Sequence, residues 1–76
     1  MNKVRRGKIE KIADQLSEIR ELVEKLHDEE QDYVDSIPEQ FQNTDRAAQG
    51  EEAATLLDEA VEYLDNAIDD LRRAAE

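Results

Sequence analysis

Apolar residues recur every three or four positions along most of this chain, and a single proline interrupts the pattern near its centre. In the first half the repeat has nine positions, of which only one is charged: Ile9, Ile12, Leu16, Ile19, Val23, Leu26, Glu30, Tyr33 and Ile37. Alternating steps of three and four place such residues on one face of an α-helix, in the a and d positions of a heptad. The pattern predicts a first helix over about residues 3–35.

The segment SIPEQFQNT, residues 36–44, interrupts this helix. Pro38 has no amide hydrogen and disfavours helical geometry at the residue before it. Either Asn43 or Thr44 can cap a new helix, and Asp45 would follow in the first turn, where a carboxylate interacts favourably with the helix dipole. We therefore expect a loop over about residues 36–44 and a second helix over about residues 45–75.

Leucine and alanine alternate at the same spacing in the second helix. Two helices of about 45–50 Å joined by a short loop predict an all-α fold, an antiparallel two-helix hairpin similar to a coiled coil. In this register Glu30 lies opposite Gly50 and leans into the space there, reaches Arg46, or points to water. The predicted core between the helices is Ile9, Ile12, Leu16, Ile19, Val23, Leu26, Tyr33, Leu57, Ala60, Leu64, Ala67 and Leu71.

Further apolar side chains flank that core and would stay partly in water in a monomer. Burial of each is worth ~1.5–3 kcal/mol, which is large beside the few kcal/mol that a small domain without disulfides reaches. We expect a homo-oligomer in which two hairpins form a four-helix bundle. The alternative is a monomer that tolerates the exposed flank. The predicted oligomer interface consists of Leu22, Val34, Val61 and Ile68.

The charge is strongly acidic and unevenly distributed. The formal net charge is −11, yet residues 1–11 hold five basic side chains and one acidic side chain. We expect the basic segment to pair with the acidic end of the second helix. Direct binding to nucleic acid or to an anionic membrane is disfavoured by the acidic remainder. No apolar run reaches the ~20 residues of a membrane span, and the absence of cysteine and of a signal-peptide pattern favours the cytoplasm.

Two patterns resemble metal sites. Glu24 and His27 form the E-x-x-H pair that di-iron four-helix proteins use, but the predicted heptad turns Glu24 outward and His27 to a flank. Residues 28–39 place oxygen-bearing side chains at calcium-loop positions, but Tyr33 occupies the position that requires glycine, and the segment fits a helix better. Neither an activated nucleophile nor a phosphate-binding glycine loop is recognisable. We expect no enzymatic activity, cofactor or small-molecule substrate; a metal-binding four-helix bundle is a weaker alternative.

The second helix also carries many carboxylates on about 30 Å of its length. One carboxylate per ~3.6 Å is close to the ~3.4 Å between charges along one DNA strand. Such a surface could bind a basic protein in the groove that normally holds nucleic acid, or it could simply keep the helix soluble. The candidate partner-binding acidic face consists of Glu51, Glu52, Asp58, Glu59, Glu62, Asp65, Asp69 and Asp70.

Around the break, Ile37-Pro38-Glu39, Gln42 and Arg46 lie between an acidic heptad helix and an alanine-rich acidic helix. In this respect the chain resembles short acidic open reading frames of phages and mobile elements in Firmicutes. The resemblance covers nearly the whole chain and implies a mobile-element origin and a host-protein target, but no activity and no site.

The preferred hypothesis is therefore a non-enzymatic, self-associating protein–protein interaction module in the cytoplasm of a bacterial host. The alternative is an inhibitor of a nucleic-acid-binding host enzyme, of the anti-defence or anti-CRISPR type. Such an inhibitor would act through the acidic face as a DNA mimic.

Overall fold

Two long helices packed side by side make up the computed structural model, which describes residues 2–76. Helix α1 spans Lys3–Asp35, a single 3-10 turn spans Glu39–Phe41, and helix α2 spans Asp45–Ala74. The molecule measures 60 × 14 × 12 Å. The predicted antiparallel hairpin is confirmed, and the helix bounds agree with the prediction to about one residue. Neither helix of the described chain has the length and apolar character that crossing a membrane requires.

Polar side chains define the ends of both helices. The Asn2 side chain accepts a hydrogen bond from the amide of Arg5 at 2.8 Å and so caps α1. Thr44, rather than Asn43, caps α2 by accepting from the amide of Ala47 at 3.3 Å. These hydrogen bonds satisfy backbone amides that have no partner inside the helix, and they determine the residue at which each helix begins.

Small side chains of α2 bring the two helices close together. Ala47, Ala54 and Ala75 are 2–3% exposed, and Gly50 is also buried. On α1, Ala13 is completely buried. Because alanine and glycine occupy so little space, the backbones approach each other closely and the seam between the helices is narrow.

Part of the predicted core lies in this seam. Ile9, Leu16 and Val23 of α1 are half-buried there, and so are the three predicted leucines of α2, Leu57, Leu64 and Leu71. Ala60 and Ala67, also predicted to be core residues, are half-buried at its edge. For these residues the prediction agrees with the structure.

The remaining core prediction for α1 is wrong. Four residues predicted to lie between the helices are 41–53% exposed: Ile12, Ile19, Leu26 and Tyr33. The next residue in each heptad takes the inner position instead, so that Ala13 and Val34 are buried and Arg20 and His27 are half-buried. A second row of isoleucine and leucine is too bulky for the narrow seam. As a result α1 is rotated about its axis by about 50° from the predicted orientation, which is half of the ~100° between successive residues of a helix.

The same rotation, which α2 shares, corrects the predicted oligomer interface. Val34 and Val61 were expected on its surface, but each is only 8% exposed because both lie in the seam of a single hairpin. Ile68 is half-buried at the same heptad position as Val61. Leu22 is 63% exposed, as expected of a residue outside the hairpin core.

The closest approach of the two helices is at Gly50. A Cβ atom built on Gly50 would lie 2.7 Å from Cγ2 of Val34 and 3.3 Å from Oε1 of Glu30. Glu30 therefore lies opposite Gly50 and leans into the space that the missing side chain leaves, as predicted. Arg46 does not pair with it but lies over the ring of Tyr33, 5.8 Å from the ring centroid.

Candidate interaction surfaces

One long side of the hairpin is apolar and open to solvent. On α1 it presents large side chains every seven residues, with Leu22 beside them. On α2 it presents the partly exposed alanines 53, 60 and 67, bordered by Leu56 and Tyr63, which are 56% and 70% exposed. We call this surface the apolar face, and its large residues are Ile12, Ile19, Leu22, Leu26, Tyr33, Leu56 and Tyr63.

Both helices contribute to the same side because of their antiparallel packing. On each helix a residue of the apolar face directly precedes an inward one, as Ile12 precedes Ala13 on α1 and Ala53 precedes Ala54 on α2. Positions related in this way fall on one side of an antiparallel pair. The contact between Arg46 and the Tyr33 ring joins two such positions directly.

The opposite side of the hairpin is polar and is linked by ion pairs. Arg20 donates from Nε to Oδ1 of Asp65 at 2.8 Å and also pairs with Glu24. Arg72 donates from Nη1 to Oδ1 of Asp14 at 3.2 Å. The hydrogen bond to Asp65 raises the pKa of Arg20, with a further contribution from the charge of Glu24. These pairs join α1 to α2 on the side away from the apolar face.

These pairs correct the prediction for the basic N-terminal segment. Asp65 pairs with Arg20, near the middle of α1, and Asp69 pairs with Arg73 of its own helix at 3.6 Å. All residues from Asn2 to Lys8 are exposed. The basic charge at the start of α1 thus remains accessible at one end of the molecule.

All eight carboxylates of the predicted acidic face are exposed. Within residues 2–76, Asp65 and Asp69 are the members that take part in ion pairs closer than 4 Å. Most of the set lies on the outer side of α2, and Asp70 borders the apolar face. The chain therefore presents an acidic surface and an apolar surface in different directions.

A pocket of about 480 Å³ lies where the helices join, and sequence reasoning did not predict it. Its mainly apolar lining comes from the end of α1, the 3-10 turn and the start of α2, through Tyr33, Ile37, Pro38, Phe41 and Arg46. Phe41 is 49% exposed. The sequence signal for this pocket is the presence of Ile37, Pro38 and Phe41 in the short loop.

The residues considered for metal binding are occupied in other ways. Glu24 pairs with Arg20, and Nδ1 of His27 lies 3.2 Å from a carboxylate oxygen of Asp28. His27 faces the seam rather than the predicted flank. The segment with calcium-loop spacing is helical through Asp35, as expected. Within residues 2–76 no three His, Cys, Asp or Glu side chains are grouped so as to hold a metal ion.

Comparison with known proteins finds no family model, curated protein or solved structure that matches this chain. The surfaces of the hairpin are therefore interpreted from their own chemistry. The apolar face can bury hydrophobic area against a partner of similar shape, and the acidic face can bind basic groups.

Proposed function

We propose that this chain is a small, non-enzymatic protein–protein interaction module that self-associates through its apolar face. The observation that carries the proposal is the row of large side chains at seven-residue spacing on the outside of the hairpin. Ile12, Ile19 and Leu26 are each about half exposed although they are among the most hydrophobic residues of the chain. A helical partner with the same repeat would fit this row in the manner of a four-helix bundle.

The size of the apolar face suits a dimer. A fully exposed large side chain presents about 200 Å² to solvent. With the exposed fractions of the seven large residues of the apolar face, the area open to solvent is about 750 Å² per copy. Two copies would bury about 1,500 Å², close to the ~1,600 Å² of a standard protein–protein interface. A monomeric protein rarely leaves an apolar patch of this size open to water. A second hairpin is the simplest partner that would cover it along its whole length.

Sedimentation equilibrium with a matched pair of variants tests self-association. The double substitution Ile19→Glu and Leu26→Glu puts two charges into the apolar face and is expected to give a particle of one 8.8 kDa chain. Both positions are exposed in the single hairpin, so circular dichroism should still show a helical protein.

The control adds the same two charges at Thr55→Glu and Asn66→Glu, which are exposed on the outer side of α2. Because these positions lie away from the apolar face, the control is expected to sediment as a dimer, like the unmodified chain. A single-chain mass for the unmodified protein throughout the micromolar to millimolar range would refute the proposal. So would a dimer that survives the double substitution Ile19→Glu and Leu26→Glu.

The acidic face supports a second candidate function, inhibition of a nucleic-acid-binding host enzyme in the bacterial cytoplasm. Its carboxylates point mostly away from the apolar face, so they would stay accessible in a dimer. Their spacing along α2 resembles that of phosphates along a DNA strand. The resemblance to short acidic proteins of phages and mobile elements fits a host target of this kind.

Pull-down from a bacterial lysate followed by charge reversal tests this second candidate. Glu59→Lys with Glu62→Lys is expected to abolish binding of a basic target, because it reverses two exposed charges on the outer side of α2. Glu10→Lys with Glu18→Lys, which makes the same change on α1, should leave that binding in place. Equal loss in both variants would show that overall charge matters and not this surface.

A further inference from the structure

Two hairpins can cover each other's apolar faces in two orders. In one order the tips, where α1 and α2 join, lie together; in the other the tip of each hairpin lies over the open end of its partner. We propose that the second copy of this chain binds in the tip-on-open-end order, and that its N-terminal turns close the pocket at the tip. This inference rests on the proposed self-association and adds the arrangement of the partner.

The charge along the rod favours this order. The tip, taken as residues 28–56, carries nine carboxylates and one arginine, a net side-chain charge of −8. The open end, taken as residues 2–14 and 70–76, carries seven basic and four acidic side chains, a net charge of +3. Two tips placed together would bring a net charge of −8 next to another of −8. The reversed order instead places the tip, with −8, next to the open end, with +3, at both ends of the dimer. Like charges placed opposite each other disfavour a wrong partner arrangement by repulsion.

The spacing of the apolar face allows the reversed order. When two copies of α1 run antiparallel about a midpoint between residues 22 and 23, Ile12 lies opposite Tyr33 of the second copy and Ile19 opposite its Leu26. The row of large side chains on α1 therefore packs against the same row of the second copy when the two run antiparallel. Packing alone would also allow the tip-on-tip order, which sets this row over the alanines of α2, so the choice between the two depends on the charge.

The reversed register also brings the apolar residues of the two copies of α2 together. Contacts within one hairpin join residues whose numbers add up to about 80–86, such as Glu30 with Gly50 and Arg20 with Asp65. The midpoint of α1 is thus level with α2 around residues 58–63. Reversing α2 about that region places Ala60 and Tyr63 of one copy close to the same residues of the other, where the small side chain of Ala60 leaves room for the ring of Tyr63.

The N-terminal turns of α1 are exposed in the single hairpin. Ala75, just beyond α2, is 2% exposed, whereas every residue from Asn2 to Lys8 is exposed. These turns extend past the end of α2. In the reversed register residues 3–8 lie level with residues 37–42 of the second copy, which include the pocket residues Ile37, Pro38 and Phe41.

The chemistry of the two segments is complementary. Arg5 and Lys8 occupy the heptad positions of Ile12 and Leu22, so they extend the apolar face with basic groups. They would lie beside Glu39 and over the apolar floor around Phe41. The tip pocket is thus open in one hairpin and closed by the second, which contributes its basic groups.

Spin-label distances between copies distinguish the two orders. Lys11→Cys and Lys25→Cys, each labelled with a nitroxide, form a matched pair, because both residues are exposed and share a heptad position that points away from the apolar face. At ~1.5 Å per residue, the reversed order separates the two copies of residue 11 by about 35 Å along the bundle and those of residue 25 by only about 7 Å. Because both distances also include the separation across the bundle, pulsed dipolar spectroscopy is expected to find the Lys11 distance longer by about 20–25 Å.

The other outcomes overturn the inference in distinguishable ways. Equal distances at both sites, or a longer one at residue 25, would refute the tip-on-open-end order while leaving self-association intact. No dipolar signal at either site, together with a single-chain mass for the same samples, would refute both the order and the proposed function. The natural chain contains no cysteine, so the labels report only the chosen sites.

Discussion

Replacing Gly50 by alanine tests how closely the two helices approach. In an open helix, glycine to alanine stabilises by about 1 kcal/mol, because alanine has the higher helix propensity. At Gly50 the new methyl group would lie 2.7 Å from Cγ2 of Val34, well inside the ~3.5–4.0 Å that carbon atoms prefer. Val34 is β-branched and nearly buried, so it has little freedom to turn away.

The expected result of Gly50→Ala is a net loss of stability. Overpacking of this kind costs about 1–3 kcal/mol, which outweighs the propensity gain and leaves a loss of about 1 kcal/mol. For a domain of this size that corresponds to a fall in melting temperature of about 4–8 °C. Urea unfolding followed by circular dichroism measures the change, at one fixed protein concentration because association contributes to apparent stability.

Gly7 supplies the matched control. It lies at a similar distance from the start of its helix, and a Cβ built there has no neighbour within 4 Å. Gly7→Ala should therefore raise the unfolding free energy by up to about 1 kcal/mol. If Gly50→Ala stabilised the chain as much as Gly7→Ala does, the close approach at Gly50 would be refuted.

A double-mutant cycle identifies the contact itself. Val34→Ala removes the atom that the new methyl group meets, so the two substitutions together should be less damaging than the sum of their separate effects. A coupling of about 1–2 kcal/mol is expected for residues in such contact. Simple additivity would mean that another neighbour causes the loss.

Three further predictions follow from the remaining contacts. Thr44→Ala should lower the unfolding free energy by about 1 kcal/mol, because it removes the cap of α2; urea unfolding measures this. Ala54→Leu should lower the unfolding free energy by about 1–3 kcal/mol because it overfills the seam. The control Ala48→Leu, at an exposed position, should change the unfolding free energy by less than about 0.5 kcal/mol; a similar loss in both variants would argue against a tight seam. Arg20→Asp should lower the melting temperature and Asp65→Arg in the same chain should restore part of it, and no recovery would show that this ion pair does not couple the helices.

The helices could be predicted well because their signals are local. The heptad repeat, Pro38 and the capping residue Thr44 all act through nearby backbone atoms, and the helix bounds agree with the structure to about one residue. Gly50 opposite Glu30 was also predictable, since two rods of equal length joined by a short loop allow few registers.

The inner face of α1 could not be predicted in the same way. Ile12, Ala13 and Leu16 lie close together on the helix, and hydrophobicity alone favours the two larger residues as the core. The narrow seam selects Ala13 because its small side chain allows the two backbones to approach closely. Arg20 and His27 are accepted at the same heptad position because the seam opens toward the polar side, where Arg20 reaches Asp65. The tip pocket was missed because it forms only when the loop folds against both helices.

The most direct test of the central claim follows the methyl groups of isoleucine by NMR in the presence of a soluble paramagnetic complex. In dilute samples that sediment as single chains, the methyl groups of Ile12 and Ile19 should be broadened strongly and that of Ile68 weakly. In concentrated samples Ile12 and Ile19 should become protected, because the second hairpin covers them. Protection of Ile12 and Ile19 in the single chain, or their full exposure at every concentration, would contradict the account.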